Sequence, residues 1–353
     1  MSASRARRSF ASDNAAPVAP EILDALVRAN QGDATGYGAD SWTAKAIERF
    51  RRHFGPQTDV YFTFNGTGAN VVALSTMLQP WEAVLCPASA HLQTDECGAL
   101  ERFCGCKVIP VQSADGKIAP RDLEPHLRAG HEEHHPQPRV ISISQSTEYG
   151  GLYERDEIAA LCAFAHERGL LVHVDGARIA NAAATLHATP RALTVDLGVD
   201  ALTFGGTKNG LLFGEAICLF GGVAGSEAPL FVRKQAMQLA SKMRYVAAQF
   251  EALLDGDLWL RYASHANAMT SQLHERVKDI RGIEITRPVA CNAIFATMDR
   301  AAIERARAAF FFYTFDEALP EVRWMTHWAT QPEDVDAFAG CLERALSPSS
   351  HAP

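Results

Sequence analysis

Short apolar runs alternate with segments of helical periodicity along most of the chain. The apolar runs predict strands at residues 59–64, 83–86, 107–111, 139–144, 169–175, 201–204 and 213–220. The periodic segments predict helices at residues 20–30, 42–54, 71–77, 94–103, 120–127, 155–168 and 178–186. Because strands that alternate with helices form βαβ units, the pattern predicts an α/β domain with a mostly parallel, seven-stranded-type sheet.

The pattern changes in the last part of the chain. Residues 228–278 are helical with few breakers. Beyond them the sequence predicts strands at 282–286, 292–298 and 322–326 and helices at 301–310 and 332–346. A length of 353 residues suits a large domain and a smaller one. We therefore expect a large α/β domain with an N-terminal arm over residues 1–250 and a small α+β domain over 251–353.

The composition is that of an ordinary globular protein, with 47% hydrophobic and 21% charged residues. A formal net charge of −8 argues against nucleic-acid or anionic-membrane partners. No apolar run is long enough to span a membrane, and the N-terminal arginines Arg5, Arg7 and Arg8 are not followed by the apolar segment of a secretory signal. We expect a cytoplasmic protein.

The cysteine pattern gives no sign of a metal site. None of the eight cysteines makes a CxxC pair, and we interpret them as reduced thiols of a cytosolic protein. Cys104 and Cys106 are close in sequence, but they lack a second pair at zinc spacing. The histidine-rich loop 130–138 could bind a metal, although adjacent histidines in such loops are more often exposed to solvent. We expect no metal.

A lysine follows the apolar strand predicted at residues 201–204. We expect Gly205 and Gly206 to turn the backbone through φ > 0, which glycine adopts at no steric cost. A lysine in a tight, partly desolvated place can lose its proton near neutral pH, and it is then a nucleophile able to form a Schiff base. Lys208 is therefore a candidate for covalent chemistry, and a solvated turn lysine is the alternative.

The segment Asn65-Gly-Thr-Gly-Ala-Asn70 joins a predicted strand to an apolar helix. Backbone N–H groups at the start of such a helix, together with the Thr67 hydroxyl, favour an anion. The spacing matches neither a Walker P-loop nor the GxGxxG dinucleotide motif. Gly66, Thr67 and Gly68 therefore predict a phosphate cradle, and an ordinary strand–helix turn explains the segment about as well.

An aspartate ends the strand predicted at residues 169–175. The Asp175 carboxylate is expected to be partly buried, so it needs a partner, which could be a pyridinium N–H, an arginine or a helix N-terminus. The cradle, Asp175 and Lys208 all follow strands, where open α/β sheets bind their ligands. Together they supply the phosphate cradle, the partner for a pyridine nitrogen and the Schiff-base lysine that pyridoxal 5'-phosphate requires.

At these residues the chain resembles the low-specificity L-threonine aldolases, which are pyridoxal-phosphate enzymes of fold type I. The resemblance runs from about residue 10 to the last predicted helix and implies the fold-type-I architecture. Its most specific motif is His173-Val-Asp-Gly-Ala-Arg-Ile179. The other matching motifs are Ser12-Asp13, Tyr37-Gly38, Gly66-Thr67-Gly68-Ala69-Asn70, Ala90-His91 with Glu96, Thr207-Lys208, and Arg323 in Val-Arg-Trp-Met-Thr-His327.

The resemblance implies a role for each residue. Lys208 would form the Schiff base, Asp175 would keep the ring nitrogen protonated, and His91 would stack on the ring. The cofactor residues implied are Gly66, Thr67, Gly68, His91, Asp175, Arg178, Lys208 and Arg244. The substrate residues implied, with the arginines binding the carboxylate, are Ser12, Tyr37, Arg178 and Arg323. Without the resemblance, His91 reads as a surface histidine, Arg178 as an exposed charge and Arg323 as a strand-edge arginine.

The implied reaction is retro-aldol cleavage of the Cα–Cβ bond of L-threonine, L-allo-threonine and related β-hydroxy-α-amino acids, phenylserine-type substrates included, to glycine and an aldehyde. Some family members have a histidine near the β-hydroxyl where this chain has Glu148. The hydroxyl proton could therefore move through His91, Glu96, Glu148 or a bound water. A β-eliminating lyase or an aminotransferase would share the cofactor residues, and a non-enzymatic phosphate- or nucleotide-binding module would share the cradle.

The resemblance also implies a homodimer or homotetramer with shared active sites. The Tyr37 loop and Arg244 would reach a neighbouring subunit's site, where Arg244 would help to hold the phosphate. A solvated helix face is the alternative for Arg244. The helical stretch around it holds more apolar side chains than we expect one chain to cover: Leu239, Met243, Tyr245, Val246 and Phe250.

Overall fold

The computed structural model describes residues 8–127 and 133–347. Arg5, Arg7 and the loop histidine His131, which the sequence analysis considered, lie outside these ranges. Within them, no helix combines the length and the apolar character needed to cross a membrane. The same ranges contain no group of three or more His, Cys, Asp or Glu side chains placed to hold a metal ion.

A seven-stranded sheet forms the centre of the larger part of the molecule. Its strands are β1 (Asp59–Thr63), β2 (Glu82–Pro87), β3 (Lys107–Val111), β4 (Gln137–Ser144), β5 (Leu171–Gly176), β6 (Ala201–Gly205) and β7 (Glu215–Leu219). They lie in the order β1-β7-β6-β5-β4-β2-β3, and each pair from β6 to β3 is parallel. β7 is antiparallel to both neighbours, so β1 points the same way as β6. The carboxyl ends of β1, β5 and β6 therefore meet at one edge, and the predicted fold class is confirmed.

Helices cover both faces of this sheet because strand side chains alternate between two cores. Leu85 of β2 lies in one core, whereas its neighbours Val84 and Cys86 lie in the other. One helix, α3, is buried on nearly every side, which explains why it lacks a polar face. The helices of this part are α1 (Pro20–Ala29), α2 (Ser41–Phe54), α3 (Gly66–Met77), α4 (His91–Thr94), α5 (Ala99–Cys104), α6 (Pro120–Leu123), α7 (Arg155–Glu167), α8 (Ile179–Thr185), α9 (Ala228–Gln235) and α10 (Arg244–Leu253).

A second, antiparallel sheet lies towards the C-terminus. Its strands are β8 (Glu284–Ile285), β9 (Ala293–Thr297), β10 (Tyr313–Asp316) and β11 (Glu321–Met325), in the order β10-β11-β9-β8. The accompanying helices are α11 (Leu258–Val277), α12 (Arg300–Arg307) and α13 (Pro332–Leu346). α11 contributes Trp259 and Ala263 to a core of the large sheet, and Leu273 and Val277 to the core of the small one. The division into residues 1–250 and 251–353 stays a prediction.

The N-terminal arm is attached to the small sheet. Phe10 accepts a backbone hydrogen bond from Met325 (2.8 Å) and donates one to Phe311 (3.1 Å). Its ring is fully buried and stacks on Phe338, with 4.1 Å between the ring centroids. The arm is therefore fixed beside β11, and this places the next residues, Ser12 and Asp13, at the junction of the two sheets.

One predicted helix is divided in the structure, and one strand of the small sheet was not predicted. The helix predicted at residues 94–103 is divided into α4 and α5, because Cys97 and Gly98 adopt left-handed φ values of 53° and 68° that interrupt a helix. The edge strand β10 was not predicted, because the adjacent aromatic residues 310–313 do not alternate with polar ones. The first difference bears on function, since the interruption contains Glu96.

Candidate active site

The turn that carries Lys208 follows β6 as a single 3-10 turn over Thr207–Asn209. The expected reason for its glycines was wrong: Gly206 has φ −104°, and Gly205 does not have positive φ either. They are needed for space instead. A Cβ on Gly205 would overlap the Ala177 carbonyl, and one on Gly206 would lie 2.6 Å from the Gly214 carbonyl oxygen. The turn that carries Lys208 is thus packed tightly between the residues that follow β5 and those that precede β7.

Asp175 lies near the end of β5 and is buried. Its Oδ2 accepts a hydrogen bond from Asn70 Nδ2 (2.9 Å), and its Oδ1 accepts one from the Ala177 backbone N–H (2.9 Å). Burial alone would raise the pKa of Asp175, but these two hydrogen bonds and the nearby charge of Lys208 outweigh it and lower the pKa below its usual value. Asp175 is therefore a stable buried anion.

A chain of hydrogen bonds joins Asp175 to His91. Asn70 Nδ2 also donates to Glu96 Oε1 (2.8 Å), and the same oxygen lies 2.8 Å from His91 Nδ1. The hydrogen bond to Glu96 raises the pKa of His91 against the opposing effect of burial, and the charge of Glu148 adds to it. The Glu96 side chain is fully buried, and its Oε2 has no hydrogen-bond partner in the described residues. His91 is therefore a positioned proton donor or acceptor.

The sequence analysis quoted Asn70 in a motif but gave it no role. A signal was present, because Asn70 is the one amide inside an otherwise apolar helical run. An amide there needs partners. The structure shows that these partners are Glu96 and Asp175.

The predicted phosphate cradle begins α3. Asn65 caps the helix by accepting the Gly68 N–H (2.8 Å), which leaves the N–H groups of Gly66 and Thr67 without intrahelical partners. A Cβ at Gly66 would meet nothing within 4 Å, so there is open space beside the first residue of the helix. At Gly68, a Cβ would overlap the side-chain amide of Gln238, which lies against the helix start. The cradle can therefore receive an anion.

The two arginines expected to bind a carboxylate differ in how they are held. Arg178 donates to Asp13 through Nε (2.7 Å) and Nη2 (3.0 Å), so one side of its guanidinium group is already paired. Burial would raise the pKa of Asp13, but the charge of Arg178 lowers it well below the usual range. Arg323 Nε is buried without a partner in the described residues, and burial lowers its pKa. Asp13 was not predicted to act here.

A cavity of about 730 Å³ opens between the two sheets. The predicted site residues that line it come from both parts of the chain: Ser12, His91, Glu148, Arg178, Lys208 and Arg323. Asp175, Glu96 and the residues of the cradle do not line this cavity. Asp175 and Glu96 are joined to it through Asn70 and His91.

Tyr37 and Arg244 lie outside this cavity. Tyr37 is 57% exposed, and the Lys234 ammonium group lies 5.2 Å from its ring centre. Arg244 donates to the Gly32 carbonyl (2.9 Å). Their predicted roles toward a neighbouring subunit stay predictions.

The residues present fit pyridoxal phosphate. The open N–H groups of Gly66 and Thr67 suit its phosphate, and the buried anionic Asp175 suits its ring nitrogen. Lys208 lines the cavity and acts on the pKa of Asp175, so the lysine and the aspartate face the same region. Arg323 lines the same cavity, and its guanidinium group suits a carboxylate.

Comparison with known proteins places the chain in a family. Residues 9–301 match the β-eliminating lyase family. A low-specificity L-threonine aldolase of a Pseudomonas species is 42% identical over 340 residues, covering 96% of this chain and 98% of that protein. The structure of a Leishmania major threonine aldolase is 31% identical, with a TM-score of 0.90 over 96% of this chain and 99% of its own.

A more distant structure shows the same fold. An aspartate aminotransferase of Thermus thermophilus is 17% identical, with a TM-score of 0.69 over 96% of this chain and 92% of its own. Because the family match and the 42% identical relative both extend over most of the chain, this protein belongs to the low-specificity L-threonine aldolases, within the fold-type-I pyridoxal-phosphate enzymes.

Proposed function

We propose that this protein cleaves L-threonine, L-allo-threonine and related β-hydroxy-α-amino acids, including phenylserine-type substrates, to glycine and an aldehyde. The observation that carries the proposal is the convergence of Lys208, His91 and Arg323 on one cavity. Asp175 is joined to His91 at this cavity by hydrogen bonds through Asn70 and Glu96. Bound pyridoxal phosphate supplies the electron sink for Cα–Cβ cleavage.

The substrate carboxylate binds at the arginine end of the cavity, which is the part lined by Arg178 and Arg323. Arg323 lines the cavity, whereas Arg178 already donates to Asp13 through Nε and Nη2. Ser12 lies beside Asp13 and lines the same end. Fixing the carboxylate there sets which bond of Cα stands perpendicular to the ring, and therefore which bond breaks.

The β-hydroxyl proton is received where His91 and Glu148 line the cavity. Glu96 orients His91 through the 2.8 Å contact to Nδ1, so the other ring nitrogen is left to face the substrate. Glu96 itself is fully buried and acts through His91. Glu148 and a bound water remain the other candidates for this proton.

The first test is the substitution Lys208→Ala. We expect it to abolish release of glycine and aldehyde and to remove the yellow colour of the purified protein, because no other residue of the turn can form the Schiff base. Lys107→Ala, which removes an exposed lysine of β3, is the matched control and should keep both. Full cleavage by the Lys208 variant would contradict the assignment.

Product analysis separates the related activities. Release of ammonia and a keto acid, instead of glycine and an aldehyde, would indicate a β-eliminating lyase or an aminotransferase. A colourless protein that binds phosphate or nucleotides without turnover would indicate a binding module.

We further propose that the enzyme works as a homodimer or homotetramer in which the Tyr37 loop and Arg244 serve a neighbouring site. The cytoplasmic location stays an expectation from the sequence.

A further inference from the structure

A buried glutamate holds the turn that carries Lys208. Glu215 is the first residue of β7 and is 6% exposed. Its Oε2 accepts a hydrogen bond from the Gly206 N–H (2.7 Å). The Thr207 hydroxyl accepts the Gly214 N–H (3.1 Å). The two residues that precede Lys208 are therefore tied to the start of β7.

The surroundings of Glu215 make its charge matter. Lys208, from the turn after β6, and Asp175, from β5, are the charged groups whose fields act on it. On β1 it pairs with the uncharged Thr63, and α10 packs Val246 and Phe250 against the adjacent Gly214. A charge on Glu215 therefore interacts electrostatically with Lys208, and little solvent screens the interaction.

The carboxyl group is set to change its charge near neutral pH. Burial raises the pKa of Glu215 to about 7, and the nearby Asp175 adds to the rise. The hydrogen bond from Gly206 and the charge of Lys208 act in the opposite direction and limit it. Glu215 is therefore neutral on the acid side of neutrality and anionic on the alkaline side.

We propose that Glu215 is a positioning residue of the lysine turn, and that its ionisation stabilises a positive charge on the Lys208 nitrogen. The proposal rests on the proposed function, because that nitrogen forms the Schiff base. It predicts that the protonated form of the imine persists to higher pH in the wild-type protein than in a variant with a neutral residue at position 215.

The test is a pH titration of the visible absorbance of the cofactor-loaded protein. Glu215→Gln keeps an acceptor for the Gly206 N–H but cannot ionise, and we expect it to lower the midpoint of the absorbance transition by on the order of one pH unit. Glu215→Asp keeps the charge and should hold the midpoint nearer that of the wild type. Glu251→Gln, which removes a carboxylate of α10 that contacts Arg49 of α2, should leave the midpoint unchanged.

A second measurement does not need the cofactor. An acid whose pKa is raised in the folded state binds more protons when folded, so the free energy of unfolding falls as pH rises from about 4.5 towards 7. Denaturant unfolding of the cofactor-free protein between pH 5 and pH 8 should show this decline in the wild type and in Glu251→Gln. Glu215→Gln should show a smaller decline than the wild type, since the raised pKa of His91 contributes to the decline in every variant.

The outcomes are distinct. Equal absorbance midpoints in the wild type and Glu215→Gln, or equal pH dependence of their unfolding, would overturn the role of Glu215. Failure of the wild type to take up the cofactor would instead refute the proposed function. If Glu215→Gln does not fold, a midpoint in Glu215→Asp that matches the wild type supports the charge, and one shifted down by a full unit overturns it.

Discussion

At the scale of single residues, the site depends on a buried anion that the fold keeps ionised. Asp175 receives two hydrogen bonds, from Asn70 and from the Ala177 backbone, and lies within the field of Lys208. A carboxylate so placed can hold a proton on a ring nitrogen, because the interaction lies out of reach of screening solvent. The sequence alone could place Asp175 at a strand end but could not show what keeps it charged.

The substitution Asp175→Asn tests this. An amide cannot keep a ring nitrogen protonated, so we expect the activation barrier to rise by about 3–5 kcal/mol, measured as kcat at saturating cofactor. Asp200→Asn is the matched control: it changes a buried aspartate that accepts the Val172 N–H before β6 begins, at the opposite edge of the sheet. The control should lose stability and keep its chemistry. Activity of Asp175→Asn within about tenfold of the parent would refute the role.

At the scale of elements, the strands and helices of the large sheet follow from periodicity, but the close approaches between them do not. Gly205 shows the difference: its identity was explained by a turn, and the structure explains it by contact with the Ala177 carbonyl. Asp13 shows it again, because nothing local in the sequence indicates that the N-terminal arm reaches Arg178. Such contacts join residues far apart in sequence, and periodicity reports only local geometry.

The same limit explains the divided helix at residues 94–103. Its apolar positions fit one helix, but the left-handed backbone at Cys97 and Gly98 interrupts it. The interruption lets Glu96 bury its carboxylate between Asn70 and His91. A departure from the local pattern therefore coincides with a candidate functional residue, as expected where function constrains the backbone.

The substitution Gly205→Ala tests the close approach of β6 to β5. The added Cβ would overlap backbone atoms of Ala177, which cannot move without distorting the start of the helix after β5. We expect a loss of about 1–3 kcal/mol in the free energy of unfolding and weaker binding of pyridoxal phosphate, since the Lys208 turn shifts with the strand. Gly222→Ala, where a Cβ meets nothing within 4 Å, should change neither quantity. Equal stability of the two variants would contradict this account.

At the scale of the whole molecule, two cores meet around the cavity, and two segments cross between them. α11 packs against both cores, and the arm after Phe10 carries Ser12 and Asp13 from the small sheet to the cavity. The cavity is therefore lined by both parts of the chain, and its arginine end changes shape if they move apart. This arrangement makes the site sensitive to whatever else fixes the parts relative to each other, including a second subunit.

The reason first given for expecting a dimer needs correction. The apolar residues of the helical stretch were expected to exceed what one chain can cover, but Met243, Val246 and Phe250 are buried in the chain's own core. Four of the large exposed apolar side chains lie instead on α9, just after it and in the Tyr37 loop: Tyr37, Leu230, Phe231 and Met237, which are 57%, 47%, 63% and 69% exposed.

Lys234 of α9 lies over the Tyr37 ring, so the Tyr37 loop and α9 are neighbours on the surface. Exposed apolar side chains on neighbouring elements suit an isologous contact, in which the same patch covers its own copy. We therefore expect Phe231→Glu to dissociate the active assembly, because each copy would lose about 1.5–3 kcal/mol of burial and place a charge in the contact. Leu319→Glu, at a 61% exposed leucine of the small domain, is the matched control. Analytical ultracentrifugation at assay concentration should show monomers for the first variant only, and the activity of that variant should be reduced.

A wild-type enzyme that is fully active as a monomer would exclude shared sites, and with them the roles predicted for Tyr37 and Arg244.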